Sequence, residues 1–468
     1  MKTILDDLLP QVVNLYDLPG LAVGIVQRDQ LVYARGFGVR DLTTREPITP
    51  SSMFLLASIS KTFTATAAMQ LIESGRLSLD TPLVDCLPGF KLADDRFTRI
   101  TLQQMLSHTS GLPDHEDYLW ETPQEDEGAL TRYVGSLADQ KLDFDPGEKY
   151  AYSNPAYDVL GEVVARVSGQ TFDEYMEEHI FRPLEMKEST FLKTRVSPRL
   201  ATTPFINVPL AEPSPVYPYN RSHAPSGNLH SNILEMGNWA IANLNRGLFE
   251  GRQILSPSIY DLLWTPCALA EEFGPVDSVG LGWFIGSYKS RRAVSFSGGE
   301  VGFCTNLVLL PDQSLGVIVL SNTFPAPVDV VTDLALDLML GLSPRLPRPP
   351  VVITLSRVLK EAGMEAALAG ARQLQELHPQ DYDFNPLQFS DIAYILVEVK
   401  KIPPAIDMLK LGLHLHPGSV KLHYTLAWAY QAAGEGELAE QATRQCLQID
   451  PDHWEATRLL HDLRASQV

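Results

Sequence analysis

The sequence predicts an α+β domain followed by an all-α domain, from three features of the chain. An N-terminal hairpin pattern and a late series of short apolar runs supply strands, and residues from about 100 to 265 read as helices and loops inserted between them. A proline-rich stretch then leads into a region without strand signals. At 468 residues the chain exceeds one ordinary domain and can bury a sizeable core. The division expected is 1–343 for the α+β domain, 344–351 for the linker and 352–468 for the helical domain.

A short amphipathic segment ends near Tyr16, after which Gly20 to Val26 reads as a strand, Asp29-Gln30 as a turn and Leu31 to Gly38 as the returning strand. A helix is expected to begin at Ser58 and run to Glu73-Ser74-Gly75, where Gly75 suits a left-handed cap. Leu77 to Pro88 is a proline-punctuated loop. Tyr157 to Gly169 is helical with a glycine stop, and Phe172 to Phe181 repeats the helical period before Pro183. Ser278 to Tyr288, Arg292 to Ser297, Gly302 to Leu310 and Leu315 to Ser321 read as strands, the last two joined by Pro311-Asp312-Gln313. The helical insertion would roof the sheet and leave a cleft between them.

Leu342 to Pro350 reads as a stiff linker. Beyond it a 34-residue self-similarity appears, in which Ala393, Leu396, Ala405, Gly412 and Pro417 recur as Ala427, Tyr430, Ala439, Cys446 and Pro451. Small residues at these places let paired helices approach closely, and the proline closes each unit. The pattern resembles tetratricopeptide repeats, with about two full units and Pro379 closing a degenerate earlier one. Such a tail is either a stabilising appendage or a surface for a protein or peptide partner, or for self-association.

The net charge of −20 argues against nucleic acid or an anionic membrane surface as partner. Cys86, Cys267, Cys304 and Cys446 are scattered without metal-like or disulfide-framework spacing. Acidic residues at Asp6 and Asp7 stand where a leader would be apolar, and no run is long enough to span a bilayer, so a reduced, cytoplasmic protein is expected.

Three stretches carry chemistry. In Ala57-Ser58-Ile59-Ser60-Lys61, Ser58 and Lys61 lie three residues apart at a helix start, so both side chains share a face. A serine hydroxyl needs an adjacent base, and lysine serves when desolvation or positive potential disfavours its charge. By itself the pair also reads as a cap and a solvated lysine. In Tyr150-Ala151-Tyr152-Ser153-Asn154-Pro155, taken as an extended loop, Tyr152 and Asn154 point the same way. A tyrosine with its pKa lowered by a lysine can act as general base or acid, and an asparagine amide can hold a substrate carbonyl. In Phe296-Ser297-Gly298-Gly299, placed at a sheet edge, glycines allow a ligand close to free strand N–H groups. His108, His115, His179, His223 and His230 form no ligand pattern, and neither metal nor cofactor is implied.

Taken in this order, the stretches resemble the serine β-lactamase and penicillin-binding-protein superfamily, closest to the class C β-lactamase-like branch of esterases and D-amino-acid peptidases. Leu106 to Leu112, Gly161 to Gly169, Pro183 to Met186 and Gly227 to Ser231 are similar to further family segments, so the resemblance covers roughly residues 5 to 340. It implies a β-lactamase/transpeptidase-like fold acting on a small ester, amide or peptide. Ser58 would be the acylated nucleophile, Lys61 its proton partner, Tyr152 the general base or acid and Asn154 a substrate contact. The N–H groups of Ser58 and Gly299 would form the oxyanion hole. The family's third motif usually opens with Lys or His, where this chain has Phe296 followed by Ser297 and Gly298. An apolar wall there disfavours a substrate carboxylate and predicts an esterase-like serine hydrolase with weak or no β-lactamase activity. An acyltransferase or D-amino-acid peptidase on the same site is the alternative, and a non-catalytic scaffold working through the helical repeats is a second.

Overall fold

The computed structural model describes residues 2–114, 117–207, 211–270 and 276–465. Its main sheet has eight strands, β1 (Gly20–Gln27), β2 (Gln30–Gly38), β3 (Ala268–Leu269), β4 (Val276–Val279), β5 (Phe284–Tyr288), β6 (Arg291–Glu300), β7 (Phe303–Leu310) and β8 (Leu315–Ser321). They run in the order β2-β1-β8-β7-β6-β5-β4-β3, and the neighbours pair antiparallel. The sheet thus joins the N-terminal hairpin to the late meander by pairing β1 with β8, Val23 opposite Val319.

Five helices frame it, namely α1 (Lys2–Leu15), α2 (Ser60–Glu73), α3 (Asn154–Ser168), α4 (Ile233–Leu244) and α5 (Val328–Met339). Both sheet faces are covered because alternate side chains on a strand point opposite ways. Leu21, Val23 and Ile25 pack with Leu5, Leu9 and Val12 of α1 and Val331 and Leu334 of α5. Ala22 and Val26 turn to the other face, into the larger core that holds Phe63, Val163 and Trp239. Phe63 and Trp239 stack there at 3.8 Å, which ties α2 to α4. An uninterrupted apolar run, as in β1 from Gly20 to Val26, is the signature of burial on both sides.

Several expectations need correction, and within the expected Leu77 to Pro88 loop Leu83–Cys86 forms one short helical turn. Ser278 to Tyr288 is not one strand: Gly280-Leu281-Gly282 breaks it into β4 and β5, and Gly282 turns back with φ 78°. The Phe172 to Phe181 helix changes to a wider π-helical turn from Glu177. The predicted loop at Asn154 is already helix, because Ser153 in extended conformation caps α3 by accepting from the Ala156 N–H. Finally, β6 is not an edge strand, yet β5 pairs with it only as far as Ser295, opposite Phe284. Phe296 to Glu300 therefore run on beyond β5, with one side of that segment unpaired by the sheet.

The tail consists of α6 (Val351–Leu377), interrupted at Gly363, then α7 (Leu387–Glu398), α8 (Ile402–Leu415), α9 (Val420–Ala432), α10 (Gly436–Ile449) and α11 (Trp454–Ala465). Ala393, Ala405, Ala427, Ala439 and Cys446 are all fully buried, so the small residues of the 34-residue repeat sit where the helices meet. No strand occurs among the described residues after Phe324.

Candidate active site

Ser58 lies in a single 3-10 turn, Ala57–Ile59, that feeds directly into α2. The turn is pinned from two sides. The Thr305 hydroxyl on β7 donates to the Leu56 carbonyl at 2.8 Å, and the Leu56 N–H donates to the Leu229 carbonyl at 2.7 Å. Gly298 allows the close approach of β6: a Cβ there would stand 2.3 Å from the Leu56 carbonyl oxygen and 3.0 Å from the Ser58 nitrogen. The Ser58 nitrogen thus lies against the β6 extension that carries Gly299.

Lys61, one turn further on, is completely buried. Its Nζ lies 3.1 Å from Ser58 Oγ, 2.5 Å from Asn154 Oδ1 and 2.7 Å from the Ser226 carbonyl oxygen. Burial pulls its pKa down from 10.5 to about 7, against the opposing pull of Asp114, Asp158 and Glu300. A neutral amine has two hydrogens and one lone pair. The two carbonyl oxygens only accept, so they take the hydrogens and leave the lone pair toward the Ser58 hydroxyl. In its neutral form Lys61 can therefore accept a proton from Ser58 near neutrality.

Tyr152 hydrogen-bonds Ser58 and lies with its ring 4.9 Å from Lys61 Nζ. Its pKa is not lowered by the lysine as expected: burial holds it well above 10, so the phenol keeps its proton at neutral pH. Tyr152 is placed to donate a proton, and Lys61 to accept one. The His108 ring stacks on Tyr152 at 4.4 Å, and its Nδ1 accepts from the Ser153 N–H at 3.1 Å. Burial and the Lys61 charge hold His108 well below its ordinary pKa, so it serves here as a neutral wedge that fixes the tyrosine. His115 lies outside the described residues.

Asn154 is engaged at both ends. Its amide nitrogen donates to the Tyr118 hydroxyl at 2.6 Å and to Asp114 at 3.2 Å. In this state it positions Lys61 and has no amide hydrogen spare for a substrate carbonyl. Sequence reasoning missed Asp158 and Ser226. Asp158 sits one helical turn after Asn154, fully buried, and accepts from the Ser226 N–H at 3.1 Å while pairing with His223 Nδ1 at 2.9 Å. It thereby fixes the carbonyl that holds Lys61. The i, i+4 spacing of Asn154 and Asp158 was the available signal.

Within the third stretch, Phe296 is 1% exposed and packs against Phe284 at 5.0 Å, so it belongs to the core and presents almost no surface to a ligand. Ser297 and Gly299 alternate to the opposite, exposed side of the strand. Of the two arginines earlier on this strand, Arg291 donates to the Lys289 carbonyl. Arg292 donates to the Trp264 carbonyl, and its seven-residue separation from Gly299 amounts to roughly 23 Å of strand. Glu300, directly after Gly299, has its carboxyl pushed up to about 8 by burial, with the Val301 N–H and Lys61 opposing and Glu398 of the tail adding to the rise.

The β-lactamase family profile matches residues 5–340, which include all of these groups except Glu398 of the tail. The chain belongs to the β-lactamase family. Among relatives in it, penicillin-binding protein 4 of Amycolatopsis lactamdurans is 28% identical over 372 residues, covering 74% of this chain and 94% of that protein. Protein flp of Staphylococcus aureus strain MW2 is 26% identical over 321 residues, 65% of this chain and 60% of its own length. The octameric penicillin-binding protein homologue of Pyrococcus abyssi superposes with a TM-score of 0.64 at 27% identity, covering 77% of this chain and 82% of that one. The penicillin-binding protein of Bacillus halodurans superposes with a TM-score of 0.59 at 25% identity, over 70% and 98%. The β-lactamase-family fold and the penicillin-binding-protein resemblance are both borne out. No helix among the described residues is long and apolar enough to cross a membrane.

Proposed function

We propose that this β-lactamase-family chain is a serine hydrolase with esterase-like preference that works through an acyl-enzyme on Ser58. The observation that carries this is the fully buried Lys61, whose Nζ lies 3.1 Å from Ser58 Oγ and donates to two oxygens that only accept, so that in the neutral amine the lone pair is left for the serine hydroxyl. Neutral Lys61 takes the Ser58 proton as Oγ bonds to an ester or amide carbonyl carbon. The oxyanion that forms rests on the N–H groups of Ser58 and Gly299. As the intermediate collapses, Tyr152 gives its proton to the departing alcohol or amine and recovers one from Lys61. Water then adds to the acyl carbon, its proton passes to the Lys61–Tyr152 pair, and Ser58 leaves reprotonated.

The buried Phe296, with Arg292 turned to Trp264, supports weak or no activity toward substrates that depend on a carboxylate contact, β-lactams included. An acceptor other than water would make the same site an acyltransferase, or a D-amino-acid peptidase if amides are its substrates. The scaffold alternative is disfavoured, since a chain without chemistry has no reason to bury a lysine against a serine. The tail is read as tetratricopeptide-like, following the linker at about 344–351, and the four free cysteines, three of them buried, support a reducing compartment.

Intact mass after brief incubation with a p-nitrophenyl ester, a fluorophosphonate and a penicillin, on wild type and Ser58→Ala, tests this. Adducts from the first two that require Ser58, with little from the penicillin, are expected. Labelling retained in Ser58→Ala would overturn the assignment.

A further inference from the structure

The helical tail does not stand clear of the catalytic region. Val301 and Phe324 pack into the same apolar cluster as Phe389, Leu396 and Met408 of the tail, and Ile206 is buried within that cluster. Both contacts adjoin the site: Val301 lies two residues past Gly299, and the Phe324 ring stands 2.9 Å from where a Cβ on Gly299 would be. On the opposite rim, Lys400 pairs with Glu121 at 3.2 Å, three residues beyond the Tyr118 that holds Asn154. Lys401 pairs with Glu212. Exposed pairs of this kind contribute little energy, but they place the C-terminal end of α7 across the space between the β6 extension and the loop at Tyr118.

That end of α7 carries Tyr394 and Glu398. Tyr394 is 53% exposed, with its ring fixed by stacking on Trp428 at 5.2 Å. Both residues interact electrostatically with Glu300, which also acts on Lys61. The rim thus combines an aromatic face with Glu300 and Glu398, while its two lysines are already paired with glutamates. Independently, the position that usually carries a cation for a substrate carboxylate holds the buried Phe296.

We infer that α7 roofs the catalytic cleft and that Tyr394 and Glu398 are specificity-determining residues, favouring substrates with an ammonium group over those with a carboxylate. This rests on the hydrolase function proposed above. A cation meets the Tyr394 face and, once Glu398 ionises above its burial-raised pKa, its carboxylate; an anion meets that same carboxylate beside a Glu300 that is largely protonated at neutral pH, and the rim lysines among the described residues are already paired with glutamates.

The full-length protein and its Glu398→Gln, Glu398→Lys and Tyr394→Ala variants would be assayed with p-nitrophenyl esters of butyrate, 4-trimethylammoniobutyrate and glutarate. Wild type is expected to prefer the cationic over the anionic ester. Glu398→Lys should lower that kcat/KM ratio by about tenfold or more, through KM, with Glu398→Gln intermediate. Tyr394→Ala should raise KM for the cationic ester selectively. Hydrolysis of all three esters with the same cation-to-anion ratio in every variant would overturn the inference and leave the hydrolase function standing. Absence of both turnover and a Ser58 adduct in folded wild type would instead overturn the hydrolase function, and the inference with it.

Discussion

Lys61 is the residue on which the chemistry turns, because its charge is unwelcome where it sits. With its pKa at about 7, kcat/KM should rise with pH through that value as the neutral amine becomes the major form. Asn154→Asp places a carboxylate against Nζ, which favours the charged lysine. A pH–rate profile is expected to show this limb moved to higher pH, and an unmoved limb would remove Lys61 as the titrating base. Lys61→Met should cost about 10²- to 10⁴-fold in acylation, measured as the rate of p-nitrophenol release. Spacing singled out Ser58 with Lys61 and Tyr152 with Asn154, but each pair alone also reads as ordinary local structure and the family resemblance joined them into one site; Asn154, moreover, opens a helix and not the extended loop that the alternation assumed. The direction of the Tyr152 shift was not legible, because it depends on burial supplied by residues far away in the chain.

Among the elements, β6 shows why part of the site could not be read from sequence. Its strand character was plain from the alternating run, but that β5 stops at Ser295 and leaves Phe296 to Glu300 unpaired on that side depends on a break at Gly280 to Gly282. Local pattern reports which residues form a strand; pairing length is a tertiary property. The same extension makes Gly298 intolerant of substitution. Gly298→Ala would put a methyl 2.4 Å from the Thr305 hydroxyl and 2.3 Å from the Leu56 carbonyl. It should destabilise the domain by about 1–3 kcal/mol in denaturant unfolding and reduce acylation together with stability, as the Ser58 turn is pushed off its anchor. A wild-type melting curve for Gly298→Ala would show that β6 does not pack on that turn. Phe296 is a case where residue type misled: an aromatic in the motif reads as a substrate wall, and the fold uses it as core.

On the scale of the whole molecule, the active site is a burden on stability. A lysine whose folded pKa lies below its ordinary 10.5 binds fewer protons folded than unfolded between about 7 and 10.5, so stability rises with pH across that window. The shift corresponds to a cost on the order of 5 kcal/mol at pH 7 and below, fading toward 10.5. Urea unfolding of wild type and Lys61→Met from pH 6 to 10 should therefore show the variant's advantage shrinking as pH rises. The slope is the test, because the methionine also leaves the Ser226 and Asn154 carbonyls without their donor. A pH-independent difference would place the lysine's titration outside this range. The tail was legible as a repeat, but its position over the cleft was not, since ion pairs such as Lys400 with Glu121 join surfaces 279 residues apart. A similar long span bears on how the chain is made. The carbonyl that holds Lys61 belongs to Ser226, 165 positions later, and is fixed in turn by Asp158. A nascent chain still short of that carbonyl, or one nicked so that the segment swings away, would carry an inert serine. Acylation of Ser58 thus reports a chain that has been made and folded at least through Ser226.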